Sequence, residues 1–355
     1  ERAIEVLSTL KLSEFQAYFN DPCIEIAIEK NPNLQLENDS ATRIYTFVTP
    51  DRTYLIVNNP GRSIKLHTID ISEIELNRIA FEYLEEIYEP YRWNYKDKAR
   101  PLYDLLIAPI MSDLAGVEQI TFIQDGILRN MPMESLFDGE RYLIQDYTID
   151  YASGLAGRPQ VLRKRERSFI AGSTIFPNTG FTELPFVEAE LKFLKQKLPN
   201  HTLLENEEFT IAEVERLLAS SRYDRLHFAT HGFFGGNADN SFILAYDGKI
   251  DILKFNSLFA SLDVPPSLLF LSGCETAKGN SQAPLGITGT AIRGGTSNVI
   301  ATMWAIQDSI AVEFVKDFYT FLDEGKSIAE AKRAAQLNLV ELHPTIWASF
   351  MAFKI

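Results

Sequence analysis

Two apolar runs in this chain each end at a reactive side chain beside a glycine: Leu226-His227-Phe228-Ala229-Thr230-His231-Gly232 and Leu268-Leu269-Phe270-Leu271-Ser272-Gly273-Cys274-Glu275. In an open parallel sheet, ligands gather at the carboxyl ends of the strands. His231 and Cys274 on neighbouring strands would therefore face one crevice. A free thiol, with a pKa of about 8.5, is mostly protonated at neutral pH. An adjacent imidazole takes that proton and later returns it to a leaving amine, so the pair is suited to attack on a peptide carbonyl. Gly232 admits a substrate backbone, and a main-chain N–H there faces a developing oxyanion.

Each residue also has a plainer explanation. A lone cysteine is commonly a small buried hydrophobe. His227, in mid-strand, reads as a packed or hydrogen-bonded histidine, and Cys23, in an alternating segment with no histidine nearby, reads as structural. What favours the pair His231 and Cys274 is that two independent strand ends agree. The loop Met303-Trp304-Ala305-Ile306-Gln307-Asp308 follows the next strand and should wall the substrate cleft. Asp308 there suits a basic P1 side chain, or with Ser309 caps a helix. Glu275 is a pocket wall or a surface charge, and Trp304 a cleft wall or core. An extended peptide held at a sheet edge would fit such a cleft.

Other chemistries are disfavoured. There is no G-x-S-x-G elbow, and Gly286-Ile287-Thr288-Gly289 lacks the G-K-[ST] ending of a phosphate loop. Two remote cysteines and no H-E-x-x-H argue against zinc, and Asn237-Ala238-Asp239-Asn240 is too loosely spaced for a divalent ion. No cofactor or metal is expected.

The elements that must position the pair can be read from periodicity. Thr9 to Phe19 carries a loose helical stripe, and segments 23–28, 43–49, 53–58 and 63–71 read as strands of a small antiparallel meander. Ser72 and Glu75 form a capping-box pattern before a helix that Pro90 ends. A second helix is expected over 102–111, with Pro101 at its start and a bend near Pro109. From residue 117 the pattern alternates. Strands are expected at 119–124, 142–151, 168–175, 225–230, 267–271 and 297–303, and helices at 186–198, 210–219, 286–294 and 309–322. Thr210/Glu213 and Ser327/Glu330 supply two more capping boxes. Short apolar strands between amphipathic helices give an α/β fold, a mostly parallel sheet with helices on both faces. The charge run Arg163-Lys164-Arg165-Glu166-Arg167 reads as a solvated loop or an exposed site for nicking.

The composition sets outer bounds. The chain has 355 residues, 46% apolar, 12% aromatic and 23% charged, which excludes a wholly disordered protein. At about 150 residues per domain it suggests roughly two domains. A net charge of -14, from 48 acidic against 34 basic side chains, repels a phosphate backbone and disfavours generic nucleic-acid binding, a local basic groove aside. Two cysteines make no disulfide framework, so a reducing, cytoplasmic setting is expected. No apolar run approaches the roughly 18 residues of a membrane helix. The chain opens on Glu1 with no signal-peptide pattern and reads as a fragment of a longer polypeptide.

The segments Ala229-Thr230-His231-Gly232 and Leu271-Ser272-Gly273-Cys274-Glu275-Thr276 resemble the His-Gly and Cys blocks of CHAT domains. These are bacterial caspase-like peptidases, often fused to tetratricopeptide repeats and related to caspases, separase and legumain. Caspases place the histidine about 50 residues before the cysteine; here the separation is 43. Gly286, Gly289, Ala291, Gly294 and Gly295, the strand Ser297 to Trp304, and Phe318-Tyr319 resemble the glycine-rich helix, following strand and Phe-Tyr helix of that family. Asp125-Gly126-Ile127-Leu128, Pro132, Leu136 and Tyr142-Leu143 resemble its earlier strand block.

The resemblance covers roughly residues 95–355 and implies a caspase-like domain there. Residues 1–94 would form a helical end, a β-meander and a connecting helix. It further implies Cys274 as nucleophile, His231 as general base, and the N–H groups of Gly232 and Cys274 as the oxyanion hole. A helix dipole and a cationic histidine would lower the thiol pKa. No third residue that orients the imidazole is evident from sequence. Ser272-Gly273 precedes Cys274 where caspases have Gln-Ala, so strict cleavage after aspartate is not implied. The partners implied are a protein substrate and a regulatory protein or N-terminal repeat region, with no direct nucleic-acid or membrane partner. The competing expectation is a binding or signalling module that kept the fold and lost turnover.

Overall fold

The computed structural model describes residues 2–20, 41–154, 167–198, 200–220, 222–260, 265–276 and 295–354, with isolated positions 262, 282, 284–286 and 289. The expectations for Cys23, for the charge run up to Glu166 and for most of the glycine-rich helix lie outside the described residues.

The chain begins with helix α1 (Arg2–Phe19). A meander follows, formed by β1 (Thr42–Val48), β2 (Thr53–Asn58) and β3 (Lys65–Ile69), with both pairings antiparallel. Helix α2 (Glu73–Tyr88) starts where Ser72 accepts from the Glu75 amide, as the sequence pattern requires. Helix α3 (Tyr95–Leu106) begins well before the expected position and carries Pro101 in its interior. Its buried face (Tyr95, Ala99, Leu102, Tyr103, Leu106) outweighs the hydrogen bond that proline cannot donate. A separate 3-10 turn, Ala108–Ile110, holds Pro109.

The alternating region contributes β4 (Gln119–Ile123), β5 (Thr148–Ala152), β6 (Ser168–Gly172), helix α4 (Val187–Lys197), β7 (His201–Glu205), α5 (Ile211–Ser220), β8 (Arg225–Phe234), the hairpin β9 (Phe242–Ala245) and β10 (Gly248–Asp251), and α6 (Ile252–Ala260). It closes with β11 (Leu268–Thr276), β12 (Asn298–Thr302), α7 (Asp308–Asp323), α8 (Ile328–Leu337) and β13 (Phe350–Lys354).

The strand expected over 142–151 is shorter. Gln145 accepts from the Tyr142 amide through its side chain and donates its own amide to the Tyr142 carbonyl, closing a helical turn over Leu143–Asp146 before β5 starts. Helix α7 starts at Asp308 itself, with Gln307 as the cap residue and no side-chain cap bond, so the helix begins one residue before the Asp308-Ser309 cap expected from sequence.

One continuous sheet orders the described strands as β10-β9-β8-β11-β12-β13-β5-β4-β1-β2-β3, with β6 also paired to β8 and β7 paired to β6. The centre is mostly parallel: β6, β8, β11 and β12 run together, as do β13, β5, β4 and β1. The meander enters this sheet through the parallel β1–β4 pair. Side-chain alternation sends each strand's apolar residues to two covered faces. Leu226, Phe228, Leu269 and Leu271 meet Phe15, Leu218 and Phe255 on one face. Ala229, Leu268 and Phe270 meet Leu191, Phe314 and Phe318 on the other. The α/β expectation, with helices on both sides of a mostly parallel sheet, is the observed architecture.

Among the described residues no helix is long and apolar enough to cross a membrane.

Candidate active site

The two strands singled out from sequence are immediate neighbours. Strand β8 lies parallel to β11, with Leu226 opposite Leu269 and Phe228 opposite Leu271. Both run past the expected ends, β8 to Phe234 and β11 to Thr276. The reason lies in β8's other edge. Strand β6 pairs with it up to Gly172–Ala229, and β9 takes over at Gly232–Ile243. Thr230 and His231 fall in the gap between these two partners. The opening sits in mid-strand, where one neighbour stops and another of opposite direction begins.

A bulge occupies the same place. The register passes from Ser272–Ala229 to Cys274–Gly232, so Thr230 and His231 together oppose Gly273. A bulge of this kind bends the strand and re-aims its side chains. Gly273 has φ +89°, and a Cβ there would lie 2.9 Å from the Thr230 carbonyl oxygen. Only glycine accepts both conditions. The ladder then places Cys274 beside Gly232, the residue after His231, and Glu275 beside Phe233.

His231 is partly exposed. Its Nε2 lies 2.8 Å from the carbonyl oxygen of Thr182. A carbonyl only accepts, so Nε2 carries the hydrogen and Nδ1 is left as the acceptor nitrogen. The ring sits between Phe176 and Phe181, at centroid distances of 5.0 and 5.3 Å. Phe181 in turn packs edge-on against Phe242, over whose ring Lys249 Nζ lies at 4.1 Å. Thr182 is thus the orienting partner for the imidazole that sequence did not reveal. It acts through a main-chain oxygen, which every residue type carries, so no sequence signal could have marked it.

Beside this loop is a pocket of about 430 Å³ lined by Pro177, Asn178, Thr179, Leu244, Tyr246, Asp247, Gly248 and Lys249.

The other sequence candidates separate. His227 is buried, as expected for a packed histidine, with Nε2 2.7 Å from Glu190 and Nδ1 3.0 Å from the Tyr319 hydroxyl. Trp304 is 2% exposed. It stacks edge-on against Tyr88 at 5.2 Å and donates its indole N–H to the Thr345 carbonyl at 2.9 Å, so it belongs to the core. Asp308 opens α7 on the segment after β12, the strand next to β11. Among the described residues no group of three or more His, Cys, Asp and Glu could hold a metal ion.

Comparison with known proteins bears on the fold and the family. Two crystal structures of the Saccharomyces cerevisiae separase–securin complex, at 3.0 and 2.6 Å, are similar, each with TM-score 0.55 and 12% sequence identity. They cover 89% and 91% of this chain, and this chain spans about 30% of theirs. At that identity the likeness is one of fold, and the fold is caspase-like. No curated protein matches the sequence. The CHAT domain family model matches residues 96–354, well over half of the chain. Taken with the alternating strands and the joined His and Cys segments, that match identifies the chain as a member of the CHAT domain family.

Proposed function

We propose that this protein is a cysteine endopeptidase in which His231 and Cys274 form the catalytic dyad. The observation that carries the reading is the ladder register. Cys274 pairs with Gly232, the residue after His231, across a bulge, so the two candidate residues stand on adjacent strands at the place where β8 changes partners. The hydrogen bond from His231 Nε2 to Thr182 supports it, because it fixes the tautomer that a general base needs.

In the cycle, His231 Nδ1 takes the thiol proton. The thiolate of Cys274 attacks the scissile carbonyl carbon and a C–S bond forms. Main-chain N–H groups of Gly232 and Cys274 steady the oxyanion. The tetrahedral species collapses, the C–N bond breaks, and the imidazolium protonates the departing amine. Water, deprotonated by the same imidazole, then hydrolyses the thioester and regenerates the thiol.

Residues 95–355 are the peptidase unit, and 1–94 the part through which an N-terminal repeat region or a protein partner regulates it. Asp308 and Glu275 are the candidates for P1 recognition, and with an acid at either place a basic P1 residue is favoured.

The deciding experiment incubates the chain with a diverse peptide library. Cleavage that disappears in both Cys274→Ala and His231→Ala, with melting temperatures close to wild type, supports the peptidase. Cleavage that persists in either variant sinks the dyad. Specific capture of a partner protein with no turnover under any activating condition favours the binding module instead.

A further inference from the structure

On the two strands that carry the proposed dyad, one buried carboxylate ties three elements together. Glu190 lies in the first turn of α4 and is 2% exposed. One of its oxygens, Oε1, is 2.7 Å from His227 Nε2 on β8, and the other, Oε2, accepts from the Ser272 hydroxyl on β11 at 3.2 Å. An ionised carboxylate only accepts, so His227 and Ser272 both donate to it. That leaves His227 Nδ1 to meet the Tyr319 hydroxyl of α7, 3.0 Å away. The imidazole is also stacked on Phe270 at a centroid distance of 4.8 Å. Every polar atom in this group has a partner, which is the condition under which a buried polar network specifies geometry.

The network requires α4 to approach the sheet closely, and a glycine makes that possible. A Cβ on Gly172 would stand 2.8 Å from the Ala229 carbonyl oxygen and 3.1 Å from Leu191, the residue after Glu190. The segment from β6 into α4 therefore reaches both of the strands that carry the proposed dyad. Its loop supplies the Thr182 carbonyl to His231, and its helix supplies Glu190 to Ser272, two residues before Cys274. Ser272 is also the last residue on β11 in register before the bulge.

We infer that Glu190 is a positioning residue for catalysis: by holding Ser272 and His227 on one carboxylate it fixes β8 and β11 in the register that sets Cys274 beside Gly232, the residue after His231. The inference rests on the peptidase reading and adds a residue to it that touches neither substrate nor the reacting atoms. Ser272 is the arm that reaches the cysteine strand and His227 the arm that reaches the histidine strand. The titratable groups facing Glu190 are His227 from β8 and Tyr319 from α7.

The test uses the full chain with Cys23→Ser, so that Cys274 is the one thiol. Three variants are compared: Ser272→Ala, which cuts one arm, Glu190→Leu, which cuts both, and Glu190→Gln, which keeps size and an acceptor for His227. Peptide turnover, the rate of Cys274 alkylation by iodoacetamide from pH 5 to 9, and melting temperature are measured on each. A misplaced reacting group costs up to about a hundredfold in rate. Ser272→Ala should lower kcat about tenfold or more with KM changed by less than about twofold. Its alkylation profile should shift while the fold still melts cooperatively. Glu190→Leu should be worse, and Glu190→Gln should recover part of the loss.

Wild-type kcat and an unchanged alkylation profile in Ser272→Ala would overturn the inference. So would a loss in Glu190→Leu that merely follows melting temperature and that Glu190→Gln fails to relieve. Failure of the peptidase reading shows separately, as alkylation of Cys274 whose pH profile is the same in wild type and His231→Ala.

Discussion

Gly273 and Thr230 face each other across the β8–β11 ladder with no room for a side chain: a Cβ on Gly273 would lie 2.9 Å from the Thr230 carbonyl oxygen. The same glycine sits at φ +89°. Substitution by alanine meets strain twice, in the backbone and in the contact, at about 1–3 kcal/mol for the backbone alone. Gly273→Ala should lower the melting temperature and slow Cys274 alkylation, read by thermal scanning and mass spectrometry. A variant with wild-type values in both would show that the bulge tolerates a side chain.

The ring of Phe181 anchors the loop that carries the Thr182 carbonyl, through His231 on one side and Phe242 on the other. Phe181→Ala should free that loop and loosen the imidazole, by removing a ring that packs on His231 while leaving His231 and Cys274 themselves in place. If the peptidase reading holds, kcat should fall by about tenfold or more, in the range expected for misplaced groups. Phe181→Leu should recover part of it. Steady-state kinetics on both variants decide the matter, and equal loss in the two would deny the loop its anchoring role.

Far from this site, Lys332 of α8 and Glu134 form a fully buried ion pair at 2.7 Å, and Tyr151 of β5 donates its hydroxyl to the same carboxylate. Removing one partner strands a charge in the core, which costs about 3–5 kcal/mol. Lys332→Met alone should destabilise by that order. The double variant Lys332→Met/Glu134→Leu should recover much of it, because the desolvation cost of both charges goes together. Denaturant unfolding of the two singles and the double forms the cycle, and strict additivity would mean that the pair is not coupled.

Lys11 of α1 is 3% exposed, and burial lowers its pKa from 10.5 to about 8, with the nearby Arg129 guanidinium adding to the effect and Asp125 opposing it. Its ammonium donates to the Gln124 carbonyl at 2.5 Å and to Asp125 at 3.1 Å. Between pH 8 and 10.5 the unfolded chain binds this proton and the folded chain has released it, so stability rises with pH across that window. Below pH 8 the penalty for a buried ammonium is complete. Relative to Lys11→Met, the wild type should therefore gain stability from pH 7.5 to 10, by at most about 3 kcal/mol. Unfolding curves of both forms at several pH values measure it, and a difference that stays flat or falls would contradict the burial argument.

Short-range patterns in the sequence carried the element types, because capping and alternation are local. Ser72 accepts from the Glu75 amide, Thr210 from the Glu213 amide, and Ser327 with Glu330 forms a full capping box. The runs 226–229 and 268–271, apolar apart from His227, became central parallel strands for the same reason: strands buried on both faces need no polar alternation. The choice of His231 and Cys274 as a candidate pair also came from sequence, since a reactive side chain next to a glycine at the end of such a run is visible without coordinates. Where local rules competed, they failed: Gln145 folded back on Tyr142 and shortened a strand, and a buried face carried α3 through Pro101.

The register of β8 against β11, the bulge opposite Gly273, the Thr182 carbonyl and the Glu190 tie belong to the tertiary structure alone. Register depends on how two faces pack over a whole sheet, main-chain oxygens are the same at every residue, and a carboxylate 82 positions from its hydroxyl partner leaves no pattern in a linear chain. Residue types along the chain thus determined which side chains are able to do chemistry, while long-range packing decided which of them meet and which groups hold them there.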